Sequence, residues 1–343
     1  MPLRAILDDK EIISINFTKE EWISLKNKIK KGSSSLILPC CKQKGFLRTS
    51  SKGLNHFVHS KNDLNCDWKP ETPQHLKSKV EIIKACNKNG WQAIPEFSQN
   101  DWRADVLAIK SNSRIAFEVQ WSKQKEEDTK FRQEKYRRDN VRGCWFFRTI
   151  PKELKSFNEK PLANKDLPLF KIHEDENEEI IVIFGDIKKS LYEFVDDLLS
   201  KKIKFCKQYR LLPEQNIEIT FYEKTCWKCG KEQHSYIINK EFKTCCKNDY
   251  NYYRENEIYY HPKIIEFIEE ILQSNEGKDI KFGGWFQCYY CNAEFGAHYL
   301  IGEKMDAKYQ DNNITFKKNI EIGEIIIDNS NHWCYSENKD FCE

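Results

Sequence analysis

The sequence predicts an α/β protein in three parts, with a mixed helix–strand unit at its centre and a cysteine-bearing module on either side. Three observations carry that reading. Between residues 70 and 204, apolar residues switch repeatedly between helical and strand spacing. Ahead of that unit, short apolar runs (Ala5–Leu7, Ile12–Phe17, Leu36–Pro39) accompany Cys40, Cys41, His56, His59 and Cys66. Behind it, most of the remaining cysteines occur among many tyrosines. The expected parts are therefore 1–69, a small strand-rich module; 70–204, the α/β unit; and 205–343.

With 39% hydrophobic, 32% charged and 13% aromatic residues, the 343-residue chain reads as folded and long enough for two or three cores. The longest apolar runs, such as Ile180 to Phe184, are too short to span a bilayer, so no membrane partner is expected. Residues 1–15 mix acidic and apolar residues without the basic-then-apolar order of a signal peptide, and a cytoplasmic location is expected. In a reducing compartment, fourteen cysteines, several closely spaced, point to zinc rather than disulfides. A net charge of +3 neither demands nor excludes nucleic acid, because a basic groove can lie on a nearly neutral surface.

The central unit is read element by element. Thr72 is an N-cap with Pro73 at the first helical position, and Leu76, Val80, Ile83 and Ala85 follow at near-helical spacing up to Asn89-Gly90. Strands follow around Trp91–Phe97, Arg103–Lys110 and Arg114–Trp121, the last two joined by Ser111-Asn112-Ser113. A charged helix covers about Glu126–Arg138, Cys144–Phe147 is a strand, and a loop bearing Pro151, Pro161 and Pro168 leads to strand Ile180–Phe184. Helix Ile187–Leu199 closes the unit.

The sharpest chemical signal is the hairpin carrying Asp105, Glu118 and Gln120. Side chains alternate along a strand, so Glu118 and Gln120 share one face, and pairing through the Ser-Asn-Ser turn can bring Asp105 alongside. Two carboxylates with a backbone carbonyl between Glu118 and Gln120 make a hard oxygen site suited to Mg²⁺ or Mn²⁺. Such an ion acidifies bound water and stabilises charge on a phosphate under attack. The same pattern also fits a half-buried hairpin whose polar residues face solvent.

Downstream, Cys226-Trp-Lys-Cys229 and Cys288-Tyr-Tyr-Cys291 each end on a turn-forming residue, and together they predict a tetrahedral four-cysteine zinc ribbon. The stretch between them carries Cys245-Cys246 and a helix from about Pro262 to Ser274. Cys245, Cys246, His298, His332, Cys334 and Cys342 could make a second site, but they show no persuasive ligand spacing and read as ordinary thiols and histidines.

From Glu71 to Arg148 the chain resembles the CoiA-like competence proteins, a bacterial branch of the PD-(D/E)xK nuclease superfamily. The residues that carry the resemblance are Glu71-Thr-Pro-Gln-His75-Leu-Lys-Ser-Lys79, then Glu96, Arg103-Ala-Asp105-Val, and Ile115-Ala-Phe-Glu118-Val-Gln120-Trp-Ser122; Arg132, Tyr136 and Trp145 follow. The resemblance implies an α-β-β-β-α-β core with Asp105 and Glu118 as metal ligands. It also places Gln120 where many superfamily members have lysine. An amide can orient water but supplies neither a base nor positive charge. Lys79 or His75 is the candidate substitute, and Glu96 and Glu71 are candidates for an extra ligand or orienting group. His75 and Lys79, one helical turn apart, also have an ordinary reading as part of a solvated face. Arg103 either pairs with a carboxylate or grips phosphate. Arg132, Lys135, Tyr136 and Arg138 form a candidate DNA-binding face, although Glu126, Glu127, Asp128 and Glu134 are interspersed among them.

The resemblance extends to the N-terminal module, where the family has a CxxC turn, a His-Phe-x-His and often another cysteine. Here Cys40 and Cys41 are adjacent and His56-Phe-Val-His59 and Cys66 follow, so Cys41, His59 and Cys66 are the expected ligands of a second zinc. The implied function is Mg²⁺-dependent hydrolysis of DNA in uptake, recombination or defence, with other DNA-processing proteins or a second copy of the chain as partners. Two alternatives stand beside it: an inert DNA-binding scaffold, and an RNA-directed nuclease whose aromatic tail stacks unpaired bases.

Overall fold

The computed structural model describes residues 2–51, 53–59, 71–156, 160–184, 187–238, 242–243, 260–284, 286–296, 312–329, 331–337 and 341–342. The chain divides into two compact units, Met1–Phe205 with Asn331–Lys339, and Cys206–Ser330 with Asp340–Glu343. Among the described residues, no helix is long and apolar enough to cross a membrane.

The first unit opens with β1 (Arg4–Leu7), β2 (Lys10–Ile13), helix α1 (Lys19–Lys30), β3 (Leu36–Ile37), β4 (Gly45–Thr49) and β5 (Asn55–His59). The sheet order is β2-β1-β3, and β4 and β5 form a separate hairpin. Helix α1 is an element that the strand-rich expectation for this stretch did not include. Thr18 and Glu21 close a capping box at its start, and Trp22 and Leu25, one turn apart, are buried against Ala5, Leu36, Leu38 and Phe57.

The central unit begins with α2 (Pro73–Lys88), capped by Thr72 with Pro73 at the first position, as the sequence predicts. Strands β6 (Gln92–Gln99), β7 (Trp102–Lys110) and β8 (Ser113–Gln120) follow as an antiparallel meander. Helix α3 (Glu126–Arg138) then crosses over to β9 (Arg142–Phe147), which lies parallel to β8. This is the expected α-β-β-β-α-β order. Strands β10 (Leu169–Glu174), β11 (Ile180–Phe184) and β12 (Ile187–Ser190) complete a sheet of seven, ordered β12-β11-β10-β9-β8-β7-β6. Two elements differ from expectation. The proline-rich loop ends at β10. The closing helix α4 (Leu191–Leu199) starts only after Ser190, whose capping box with Glu193 releases Ile187–Ser190 to pair as an edge strand.

One face of the sheet packs Val106, Ala108, Phe117, Val119 and Phe146 against Leu76, Val80 and Ile83 of α2. The other packs Trp102, Ala104, Leu107, Ala116 and Trp145 against Tyr136 of α3. Helix α3 buries only Thr129 and Tyr136, so its seat depends on a few close contacts. The Tyr136 ring meets Trp102 edge-on at 5.2 Å and Trp145 at 6.2 Å. At Gly143 a Cβ would stand 1.9 Å from the Gln133 side-chain oxygen, which also accepts a hydrogen bond from the Trp145 indole at 2.7 Å. Any larger residue there would displace the Gln133 amide and break its hydrogen bond to Trp145.

The chain leaves this unit through β13 (Ile203–Cys206) and returns to it with β19 (His332–Tyr335). The second unit holds β14 (Tyr209–Arg210), β15 (Glu214–Thr225), β16 (Glu232–Ile238), α5 (Pro262–Gln273), β17 (Ile314–Glu321) and β18 (Ile326–Asp328). Its main sheet is ordered β16-β15-β17. Cys66, Cys245, Cys246 and His298 lie outside the described residues.

Candidate active site and cysteine centres

Pairing between β7 and β8 runs from Lys110↔Ser113 to Val106↔Phe117 and stops there. Beyond that point β7 continues with β6 to Trp102, whereas β8 continues with β9 to Gln120. The sheet therefore forks, with Asp105 on one prong and Glu118 on the other. Alternation also changes phase at the fork. Val106 and Ala108 enter the core under α2, while Trp102 and Ala104, at the same even spacing, enter the core under α3. Glu96, which takes the position facing Asp105 in the β6–β7 ladder, has a left-handed backbone with φ of 48°. A non-glycine residue in that region is strained, and here the strain accompanies the re-aiming of both carboxylates.

Asp105 is 19% exposed. Its Oδ2 accepts the Val119 backbone N–H at 2.9 Å and lies 3.2 Å from His75 Nε2, and Oδ1 takes no hydrogen bond among the described residues. His75 Nδ1 lies 3.7 Å from Glu71. Lys79, fully buried, donates to both Glu71 oxygens at 2.8 and 2.9 Å and to Glu96. Glu96 in turn accepts the Leu3 backbone N–H at 3.2 Å. These side chains make one alternating chain: Glu96, Lys79, Glu71, His75, Asp105. Burial opposes each charge, but the partners outweigh it. The Asp105 and Glu71 contacts raise the His75 imidazole to about 10 despite its burial. The His75 hydrogen bond and the Lys79 charge draw Glu71 down to about 2 despite its burial. Asp105 sits well below the usual carboxylate range because His75, Lys79 and the Val119 N–H overcome its desolvation.

Glu118 faces the opposite way and is completely buried. Tyr136 and Arg132, one helical turn apart on α3, meet its two oxygens, and Gln120 Nε2 approaches Oε2 at 3.3 Å. Burial pushes Glu118 up to about 7, with Asp105's negative charge adding to the rise and Arg132 resisting it. The Tyr136 hydroxyl also lies 2.7 Å from the Arg103 carbonyl oxygen. One hydroxyl proton cannot serve two acceptors. When Glu118 is protonated the conflict disappears, because Glu118 then donates to Tyr136 while Tyr136 donates to Arg103.

The structure thus brings Asp105, Glu118, Gln120, His75, Lys79, Glu96 and Glu71 to one fork. Lys79 and Glu96 hold each other, and Lys79 is fully buried. Tyr136, expected on a nucleic-acid surface, is instead fully buried against Trp102 and Trp145, and its ring has no free face for stacking. Arg132 is 32% exposed and turned inward onto Glu118. Their i, i+4 spacing on α3 was visible in the sequence; the face they select was not. The acidic residues of α3 occupy its outer surface, where Glu126 meets Lys130 and Glu134 meets Arg137. Arg103 is exposed, and its guanidinium makes no hydrogen bond or ion pair among the described residues.

A hard cation fits the fork chemically. Oδ1 of Asp105 is uncommitted, and the two carboxylates repel, since Asp105 is one of the causes that raise Glu118. A divalent ion would remove that repulsion.

In the second unit, the ligand atoms of Cys226, Cys229, Cys288 and Cys291 all lie within 4.8 Å of one another, so the group can hold a metal ion such as zinc. Each knuckle points amides at sulfur: Lys228 N–H donates to Cys226 Sγ and Tyr290 N–H to Cys288 Sγ, both at 3.4 Å. The amides of Cys229 and Lys228 draw the Cys226 thiol down to about 6, which favours the thiolate a metal needs. In the first unit, Cys40, Cys41 and His59 form a second group within 4.8 Å. Cys40 was not expected in it, because neighbouring cysteines rarely share an ion. The geometry shows how both approach: Cys40 Sγ lies 3.6 Å from His59 Nε2, and Cys41 Sγ lies 3.6 Å from Nδ1.

No curated protein matches the chain. A family model does match it, from Glu71 at the start of α2 to Thr225 at the end of β15, and this span includes the fork and both of its helices. That model is described as competence protein CoiA, nuclease-like domain, and residues 71–225 are similar to it.

Proposed function

We propose that the protein is a metal-dependent DNA nuclease of the PD-(D/E)xK type, with Asp105 and Glu118 as the ligands of Mg²⁺ or Mn²⁺. The observation that carries this reading is the fork itself. Two strands of one sheet separate at the point where their carboxylates stand, one with a free oxygen and the other kept partly protonated by its burial and, to a lesser extent, its neighbour's charge. A bound ion supplies Lewis-acid stabilisation of the phosphate and an acidified water. The chain's own groups do the positioning. Arg132 and Tyr136 fix the Glu118 carboxylate, the Val119 N–H and His75 fix Asp105, and Gln120 is placed to orient water through its amide. His75, rather than Lys79, is the side chain able to carry a proton to or from the fork, because Lys79 is sealed between two glutamates. The four-cysteine group holds a structural zinc, and the setting is handling of incoming or foreign DNA in the cytoplasm.

One feature favours a second reading, an inert DNA-binding scaffold: no lysine stands at position 120. Cleavage of linear and circular DNA with Mg²⁺ or Mn²⁺ decides between them, comparing wild type with Asp105→Ala and Glu118→Ala. Metal-dependent cutting lost in both variants supports the nuclease. No cutting by any form, with DNA binding intact, leaves the scaffold. Cutting of RNA but not of single-stranded DNA of equal length redirects the substrate class.

A further inference from the structure

A cavity of about 160 Å³ opens between the N-terminal strands and the fork, lined by Pro2, Arg4, Pro39, Cys40, Glu96, Ser98 and Arg103. Its charges are unevenly matched. Glu96 is already held by Lys79 and the Leu3 N–H. Arg4 offers Nη2 to Glu11 at 3.0 Å, but its Nε and Nη1 are buried and meet no acceptor among the described residues. Arg103, which also lines the cavity, has no partner among the described residues either. Burying guanidinium N–H groups without an acceptor costs stability, and such a group in a native fold calls for an explanation. Two guanidiniums converging on one cavity match the oxygens of a phosphate, which planar N–H forks bind better than any other common anion except a carboxylate.

We propose that this cavity is a phosphate subsite in which Arg4 and Arg103 together hold one phosphate of a nucleic-acid strand. The inference rests on the nucleic-acid reading above and adds a residue outside the matched domain to it. Arg103 lies two residues before Asp105 on β7, a separation of about 6–7 Å along an extended strand. The phosphate held there is therefore a close neighbour of the one at the fork. Because β1 supplies Arg4, the N-terminal module becomes part of the substrate site rather than a detached structural cap.

The test is binding, read without divalent metal so that cleavage plays no part. A fluorescein-labelled single-stranded DNA 20-mer is titrated in EDTA at several salt concentrations with wild type, Arg4→Gln, Arg103→Gln and the double variant. If both arginines grip one phosphate, each single substitution lowers the slope of log K against log salt by about 0.7, the single-strand contribution of one phosphate contact. The double variant then falls no further. An additive double variant, or an unchanged slope in Arg4→Gln, overturns the shared site. Arg4→Lys, which keeps the charge without the fork, guards against misfolding; it should retain the slope while losing affinity several-fold, and full affinity would also overturn the proposal. Linear strands with and without a 5′-phosphate, and a circular strand, identify the source. Loss of affinity on removing the 5′-phosphate assigns a terminal group, and equal binding of the circle assigns an internal phosphodiester. Binding that behaves as expected in a protein that never cuts sinks the nuclease reading alone.

Discussion

Asp105 and Glu118 stand on neighbouring strands of one sheet, yet the α2 side keeps its carboxylate charged and the α3 side raises its carboxylate to titrate near 7. Residue type cannot explain the difference. Asp105 is partly exposed and sits among two cations and a backbone N–H, whereas Glu118 is fully buried and shares one arginine with a tyrosine whose proton has another acceptor. The α2 side is a pre-charged half-site, and the α3 side is one that must lose a proton before it can take a cation. Metal binding should thus be coupled to proton release at Glu118.

The largest effect that tests this contrast is on catalysis. Asp105→Asn and Glu118→Gln each remove a proposed ligand, and both should lower Mn²⁺-dependent cleavage by about 10²–10⁴-fold, several kcal/mol of barrier. Stability should separate what activity does not. Glu118→Gln resembles the protonated carboxyl, and its amide can donate to Tyr136, so its melting temperature should stay near wild type. Asp105→Asn removes the stronger of His75's two carboxylate partners and should destabilise by about 2–4 kcal/mol. Equal melting temperatures in the two variants would break the comparison.

A smaller effect concerns Arg132, whose charge holds Glu118 below the value that burial alone would set. In Arg132→Gln the pH midpoint of Mn²⁺ affinity, measured calorimetrically, should rise by about one unit or more from the wild-type range near 7, since each unit corresponds to about 1.4 kcal/mol of lost interaction. An unmoved midpoint would mean that Glu118 does not gate the ion.

Linkage gives the two sides pH signatures of the same sign in different windows. His75 is raised from 6.5 to about 10, so its contribution is complete below pH 6.5 and is lost as pH climbs to about 10. Glu118 is raised from 4.5 to about 7, so its protonated form supports the fold below pH 4.5, and that support is lost as pH rises through 7. The gap in melting temperature between wild type and His75→Gln should therefore be widest near pH 6 and narrow steadily to pH 10. Glu118→Gln should gain on wild type between pH 5 and 8. A gap in His75→Gln that does not change with pH would remove the ion pair from the account.

Much of this arrangement was legible in the residues. Strand alternation and a short turn were enough to bring Asp105 and Glu118 alongside, because a hairpin is local and its register is set by its turn, here the two residues Ser111-Asn112 rather than the three expected. The phase change at Asp105 was not legible: it depends on Glu96 adopting a left-handed backbone that no residue type at that position announces. Helix α1 left a readable signal in Thr18, Glu21, Trp22, Leu25 and Ile29, masked by the density of lysines around them. Ser190 and Glu193 likewise marked the true start of α4. The inward face of α3 was hidden for a physical reason. Arg132 and Tyr136 look like a surface pair until a buried glutamate fourteen or more residues away demands donors.

The finest test of the contrast is at Gln120, where the amide lies 3.3 Å from Glu118 Oε2. Gln120→Lys would set an ammonium beside the half-neutral carboxylate and give the α3 side the second cation that the α2 side already has. Coulomb attraction at that range should lower the Glu118 midpoint by about one unit, with a change in cleavage rate near pH 7 of less than about tenfold. Mn²⁺ affinity should fall slightly, because the new cation repels the ion it helps to prepare for. If the midpoint drops, the two sides of the fork differ through their count of nearby cations. If it stays near 7, desolvation sets Glu118 by itself, and the asymmetry between the carboxylates belongs to the packing of α3 rather than to its charges.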